Sequence, residues 1–222
     1  MTEKTIRILS CDTAHGICSV ALLENGSVTR YYQDQHRSRQ AEQLFNLIDQ
    51  ALGHYRYDDI DALAVNIGPG SFTGIRVGLA AMKGLKLVTE LPLIPVSSLS
   101  ALAHHAKTLE PNQTITAAID AGRNQLYIQH YNANGNASEP SLIQSNDFNY
   151  TGLVVGNGGT LLQSKGYDHI TLIDKPLPDA SDIALCAYDG WLSDSEALSA
   201  PKDDLLPLYL RAPDAKKMKT AT

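Results

Sequence analysis

The apolar positions follow two rhythms along the chain. Residues 6–12, 17–23 and 28–32 are short apolar runs that read as strands. Between the last two lies Asn25-Gly26, a pair that tolerates positive φ at both positions and favours a tight hairpin. The chain therefore opens as a three-stranded antiparallel meander. The rhythm then lengthens. Ala41, Leu44, Phe45, Ile48, Ala51 and Leu52 recur at helical spacing, which predicts a helix over 38–52 with Ser38 as N-cap and Gly53 as its stop. A strand at 61–67, a helix at 75–90, a strand at 93–96 and a helix capped by Ser97 and running to 109 complete the order βββαβαβα.

The second half repeats this opening. Residues 115–120 form a strand ending in Asp120, as 6–12 ends in Asp12, and a polar turn and a further strand at 126–131 follow. Asn134-Gly135 mirrors Asn25-Gly26, and the apolar run at 153–155 enters Gly156-Asn157-Gly158-Gly159 as 65–67 enters Gly68-Pro69-Gly70-Ser71. A last helix is expected at 179–191 in the second half. These matches predict a tandem duplication with an α/β, actin-like (sugar-kinase-like ATPase) fold. Each of its two lobes carries a mixed sheet with flanking helices. The expected division is 1–109, 110–212 and a basic tail at 213–222.

Composition narrows the function. The 222 residues carry 24 acids against 18 bases, a net charge of −6. An acidic surface is a poor grip on a phosphate backbone, so any RNA substrate needs a partner to hold it. The three cysteines, Cys11, Cys18 and Cys186, have neither disulfide-framework nor zinc-finger spacing and point to a reducing compartment. Cys11 and Cys18 sit in apolar runs and read as core residues. Residues 1–7 are polar, and no run approaches the ~20 apolar residues of a membrane span, so a soluble cytoplasmic protein is expected.

The most specific segment is 66–78, Asn-Ile-Gly-Pro-Gly-Ser-Phe-Thr-Gly-Ile-Arg-Val-Gly, joining a buried strand to a helix. Gly68 and Gly70 permit a tight turn, Ser71 or Thr73 can cap the helix, and the helix N-terminus offers free N–H groups to an anion. The segment departs from a dinucleotide fingerprint in its spacing and its place in the chain, and no Gly-Lys-Ser/Thr follows to make a P-loop. A turn that lets a helix pack closely is the structural alternative. Asp12, Thr13 and Asp120 stand where phosphate and magnesium are held in ATPases of this fold. Ala14-His15-Gly16-Ile17-Cys18 offers little for a phosphate, so these three read rather as turn-capping residues.

Gly-Pro-Gly-Ser-Phe-Thr-Gly-Ile-Arg-Val-Gly-Leu closely resembles the signature of the TsaB family, the non-catalytic partners of TsaD in making threonylcarbamoyladenosine on tRNA. The runs at 8–23 and 95–103, Asp120-Ala-Gly-Arg, and Pro-Leu-Tyr-Leu-Arg at 207–211 resemble further blocks of that family. The resemblance implies a scaffold subunit acting with a TsaD-like catalytic subunit and a TsaE-like ATPase. It implies a homodimer when alone and tRNA contact only through the complex. It carries no cofactor of its own, with ATP or ADP bound only within the complex. A self-sufficient kinase or hydrolase of the same fold is the alternative, and a dehydrogenase a third. The catalytic sister family carries a His-x-x-x-His metal pair where this chain has Ser98 and Leu102, so no metal is expected. His104 and His105, adjacent on their helix, read as exposed. The helix at 75–90 has a small-residue stripe at Gly74, Gly78 and Ala81. With Met82 and Leu85, and with Ala41, Leu44 and Ile48 of the preceding helix, it forms the expected partner interface.

Overall fold

The computed structural model describes residues 4–36, 40–194 and 205–211. The expected Ser38 cap and the 213–222 tail lie outside the described residues. Ten strands form two five-stranded sheets. The first holds β1 (Arg7–Asp12), β2 (Cys18–Glu24), β3 (Ser27–Asp34), β4 (Ala62–Asn66) and β5 (Leu93–Val96) in the order β3-β2-β1-β4-β5. The second holds β6 (Ile115–Gly122), β7 (Gln125–Tyr131), β8 (Ser141–Gln144), β9 (Gly152–Val155) and β10 (Ile170–Ile173) in the order β10-β9-β6-β7-β8. Each sheet has an antiparallel three-strand meander on one side of its first strand and parallel strands on the other. The duplication expected from the sequence is thus a duplication of topology.

Local chemistry sets the turns. Asn25 and Gly26 take φ of 46° and 80°, as a tight turn with two left-handed residues requires. The matching connection in the second sheet is longer. An isolated Tyr131–Ala137 bridge closes around Asn134-Gly135 before β8 begins. β8 and β10 are four-residue edge strands that the sequence pattern does not mark, and the short helix α4 (Asn157–Ser164) follows β9.

The first sheet is covered on one face by α1 (Gln40–Leu52) and α2 (Phe72–Thr89). Leu44, Leu47, Ile48, Leu79 and Met82 meet Leu9, Val20, Leu22, Leu63 and Val65, together with Cys11 and Cys18, which are core residues as expected. α2 starts at Phe72, one turn earlier than its apolar pattern predicts, because Ser71 Oγ accepts from the Gly74 amide.

Two helices lie between the sheets, each on the lobe that its chain position does not suggest. α3 (Ser98–Leu109) follows β5, yet Leu99, Leu102 and Ala106 pack on Ile115, Ala117 and Ile119 of the second sheet. α5 (Ala180–Ser193) was expected to complete the second half. Instead Ile183, Ala184 and Ala187 pack on Ile8, Leu23, Ala62 and Ala64 of the first sheet. Its first turn is bolted there. Ser10 Oγ donates to the Ala180 carbonyl at 2.7 Å, and the Ala180 amide donates to Ser19 Oγ at 3.0 Å. The expectation for His104 and His105 is also corrected. Both are half-buried, His104 2.7 Å from Asp189 and His105 3.5 Å from Asp182, because α5 covers that side of α3.

Candidate functional site: interlobe cleft and helical groove

β1 delivers Asp12 to the mouth between the lobes, but its side chain serves the fold. Oδ1 accepts the Ala14 amide at 2.8 Å and Asn66 Nδ2 at 2.9 Å. Asn66 Oδ1 in turn accepts the Gly68 amide at 2.8 Å and the Ser98 hydroxyl at 2.9 Å. Burial raises the Asp12 carboxyl to about 7 against the pull of the Ala14 and Asn66 donors. His15 Nε2 lies 3.0 Å from Ser98 Oγ. The Ser98 hydrogen goes to Asn66, so Nε2 is the donor here and His15 does not act as a base toward Ser98. Burial lowers His15 to about 4, leaving it neutral at physiological pH.

Thr13 is equally committed. Its Oγ1 donates to the Gly74 carbonyl at 2.7 Å and accepts the Gly78 amide at 3.1 Å. This explains two glycines of α2. A Cβ on Gly74 would stand 2.1 Å from the Thr13 carbonyl oxygen, and one on Gly78 would stand 2.5 Å from Thr13 Oγ1. Gly70 likewise faces the Ala14 carbonyl, and the Ser71 amide donates to it at 2.7 Å. In the second lobe, Asp120 Oδ1 accepts the Gly122 amide at 2.7 Å, repeating the Asp12–Ala14 turn cap. The structure therefore gathers Asp12, Thr13, Gly68, Gly70 and Ser71 around one loop and places Asp120 on the opposing turn. Thr73 sits outside this cleft, exposed on α2. Ser98 and Leu102 are fully buried, Leu102 in the second core. Among the described residues no group of three or more His, Cys, Asp or Glu converges to hold a metal ion.

The outer faces of α1 and α2 hold a different feature, a groove of about 480 Å³ lined by Ala41, Phe45, Phe72, Arg76, Ala80 and Ala81 among others. Phe45 is 49% exposed and Phe72 40%, and Leu87 and Val88 further along α2 exceed 80%. The residues expected at a partner interface divide between this groove and the core. Ala41 and Ala81 line the groove and Leu44 is its floor at 1% exposure, while Ile48 and Met82 are core and Leu85 packs partly against it. Gly74 and Gly78 face Thr13 inside the lobe. The outward small stripe is Ala80 with Gly84, where an added Cβ would meet nothing within 4 Å. Ile75, Leu79 and Met82, spaced four and three apart and all buried, fix the helix phase. That spacing was the sequence signal that would have found Ala80 and Gly84.

Residues 205–211 bridge the lobes and touch the edge of the groove through Phe72 and Arg76. Leu205 is buried in the first core, and the Leu208 amide donates to the Ile67 carbonyl at 2.8 Å. The Tyr209 ring stacks on Phe72 at 5.0 Å and its hydroxyl accepts from Arg76 Nε at 2.8 Å. Leu210 packs against the second core, and Arg211 Nη2 donates to Gln125 Oε1 at 2.5 Å and to the Gly122 carbonyl at 3.4 Å.

A family model described as TsaD, tRNA N6-adenosine threonylcarbamoyltransferase, matches residues 33–148. A tRNA threonylcarbamoyladenosine biosynthesis protein TsaB from Haemophilus influenzae is 38% identical over 126 residues, covering 56% of this chain and 53% of that protein. The TsaB of Escherichia coli K12 is 37% identical over 133 residues, covering 59% and 57%. The chain thus matches these relatives over little more than half of their length. An uncharacterised Mycobacterium tuberculosis protein is 30% identical over 167 residues, covering 74% of this chain and 70% of that one. A Pseudomonas aeruginosa structure described as similar to peptidase YEAZ superposes with a TM-score of 0.78 at 24% identity, covering 93% of this chain and all of that one. YeaZ from the same organism gives 0.77. The fold is the α/β actin-like one expected from the duplicated pattern. By the family match the chain belongs to the TsaD family, and TsaB proteins of two bacteria are among the relatives it is similar to.

Proposed function

We propose that this chain is a non-catalytic subunit of the machinery that places threonylcarbamoyl on a tRNA adenosine, acting by docking a TsaD-like catalytic subunit on its α1/α2 groove. The observation that carries the reading is the exposed aromatic pair Phe45 and Phe72 beside a groove lined by Ala41, Ala80 and Ala81 over Leu44. Buried aromatic anchors dominate protein interfaces, and unburied ones beside an apolar groove are what a partner would cover. The names of the relatives support the tRNA threonylcarbamoyladenosine context. The scaffold role is supported by a cleft whose Asp12, Thr13 and Ser98 are spent on internal hydrogen bonds. In this reading the chain pairs with itself when alone, through the same groove. A TsaE-like ATPase joins the assembly, ATP or ADP binds only within it, and tRNA is met only through the complex. The assembly works in the cytoplasm.

The test is Ala80→Arg. Ala80 is exposed, so the change costs under about 0.5 kcal/mol of stability. An unpaired charge in a desolvated interface costs several kcal/mol, enough to abolish micromolar binding. The variant should stay folded, lose the TsaD-like subunit in a binding titration, and lose tRNA modification in a reconstituted reaction. The parent chain alone should neither hydrolyse ATP nor modify tRNA. Undiminished binding by folded Ala80→Arg would refute the surface. Turnover by the isolated chain would refute the scaffold role.

A further inference from the structure

The segment 205–211 has no regular secondary structure, yet it is held at both ends by different lobes. On the first lobe it is anchored by the Leu208–Ile67 backbone bond and by the Tyr209 ring on Phe72. Arg76 ties these together, its guanidinium 3.7 Å over the Phe72 ring and its Nε bonded to the Tyr209 hydroxyl. On the second lobe Arg211 grips the β6–β7 turn through Gly122 and Gln125. That turn runs through left-handed backbone at Gly122, Arg123 and Asn124, with φ of 70°, 58° and 59°. Arg123 and Asn124 form the two-residue hairpin loop, and the pair that closes it is Gly122–Gln125, the pair Arg211 contacts. An external clamp on the turn is therefore of consequence to it. The first-lobe anchor stands beside Gly68, and the second-lobe anchor is on Gly122, next to the turn-capping Asp120. The segment thus connects the Gly68 loop of the first lobe with the Gly122 turn of the second.

We infer that 205–211 is an interlobe clasp whose first anchor is the rim of the helical groove, so that whatever covers Phe72 and Tyr209 sets how firmly the second-lobe turn is held. Both rings are part-exposed, Phe72 at 40% and Tyr209 at 38%, so an occupant of the groove reaches the anchor directly. Burying the stack strengthens the anchor, because apolar contact and the Arg76 hydrogen bond both gain when water leaves. A tighter first anchor holds Leu210 and Arg211 in register over the turn. The identity of the occupant rests on the docking reading above, whereas the clasp is a property of the single chain.

The experiment is amide hydrogen exchange on the single full-length chain. Arg211→Ala should speed exchange at the amides of 122–125 about tenfold, the loss expected for hydrogen bonds from a charged donor. Phe72→Leu keeps apolar volume but removes the stack. It should speed the same amides several-fold, although the Phe72 contacts described lie on α2 and Tyr209. In the double variant the two factors should not multiply, since each releases the same clasp. If Phe72→Leu leaves 122–125 unchanged, or if the two factors multiply, the clasp is refuted. Should Phe72→Leu fail to fold, Tyr209→Phe deletes the Arg76 bond while keeping the stack, and the same criteria apply. With a TsaD-like subunit added, the parent should slow exchange at 122–125 and Arg211→Ala should not. If that subunit protects neither α1 nor α2, the docking reading falls and the single-chain result still decides the clasp. Protection of the groove with equal slowing at 122–125 in parent and variant would overturn the coupling.

Discussion

Two glycines of one helix give opposite predictions from the same substitution. Gly78 and Gly84 both lie inside α2, so replacing either with Ala gains the same helix propensity, about 0.8–1 kcal/mol. At Gly84 nothing lies within 4 Å of the new Cβ. Gly84→Ala should therefore stabilise the chain by close to that amount, raising Tm by about 2–4 °C at this size. At Gly78 the Cβ would stand 2.5 Å from Thr13 Oγ1 and 3.6 Å from Cys11 Sγ. Thr13 cannot swing aside freely, because its hydroxyl holds the Gly74 carbonyl and the Gly78 amide. Displacing it breaks two buried hydrogen bonds at about 1 kcal/mol each, and overpacking adds about 1–3 kcal/mol. The propensity gain does not offset this, so Gly78→Ala should lower stability by at least about 1 kcal/mol, a few degrees in Tm. Calorimetry or urea titration of the two variants against the parent decides it. A Gly78→Ala protein as stable as Gly84→Ala would mean that α2 is turned differently, and the groove assignment would fall with it.

Asp12 gives a pH prediction. Its folded carboxyl titrates near 7 while an unfolded aspartate titrates near 3.9, so the native state binds the proton more tightly. Its contribution to stability is therefore most favourable below the unfolded value and is lost as pH rises through 7. Asp12→Asn should flatten the stability profile between about pH 4 and 7. Parallel profiles for variant and parent would contradict the burial argument. Elemental analysis of the purified chain should find no stoichiometric zinc or iron, since Leu102 offers no donor and the Ser98 hydroxyl is engaged by Asn66 and His15. One metal per chain would overturn this.

Much of the architecture was legible because it is local. The Asn25-Gly26 turn and the strands ending in Asp12 and Asp120 declare themselves through runs of a few residues, and the first strands of both sheets follow from them. The choice between a phosphate ligand and a turn cap at Asp12 needed the partners Ala14 and Asn66, one of them distant in sequence. β8 and β10 are edge strands of four residues, too short for a period to emerge. The glycines of the expected stripe on the second helix face inward, whereas the exposed groove lies on the outer faces of the same two helices. Small residues mark a close approach but not its direction, and Gly74 and Gly78 approach Thr13 within their own lobe. His104 and His105 were placed in solvent because nothing nearby in sequence shows that α5 returns to cover them.

The exchange of α3 and α5 between the lobes bears on how the chain reaches this state. The first sheet lacks one of its covering helices until residue 180 has been made. The second sheet depends on a helix that is translated before any of its strands. Neither repeat is then an autonomous folding unit, although each has a full complement of strands. A chain cut at the lobe boundary would leave Ile8, Leu23 and Ala64 bare on one fragment. On the other, Ile115, Ala117 and Ile119 would be bare. The two pieces would be soluble only in each other's company. The duplicated halves are joined by mutual dependence, and the molecule should melt in one cooperative step.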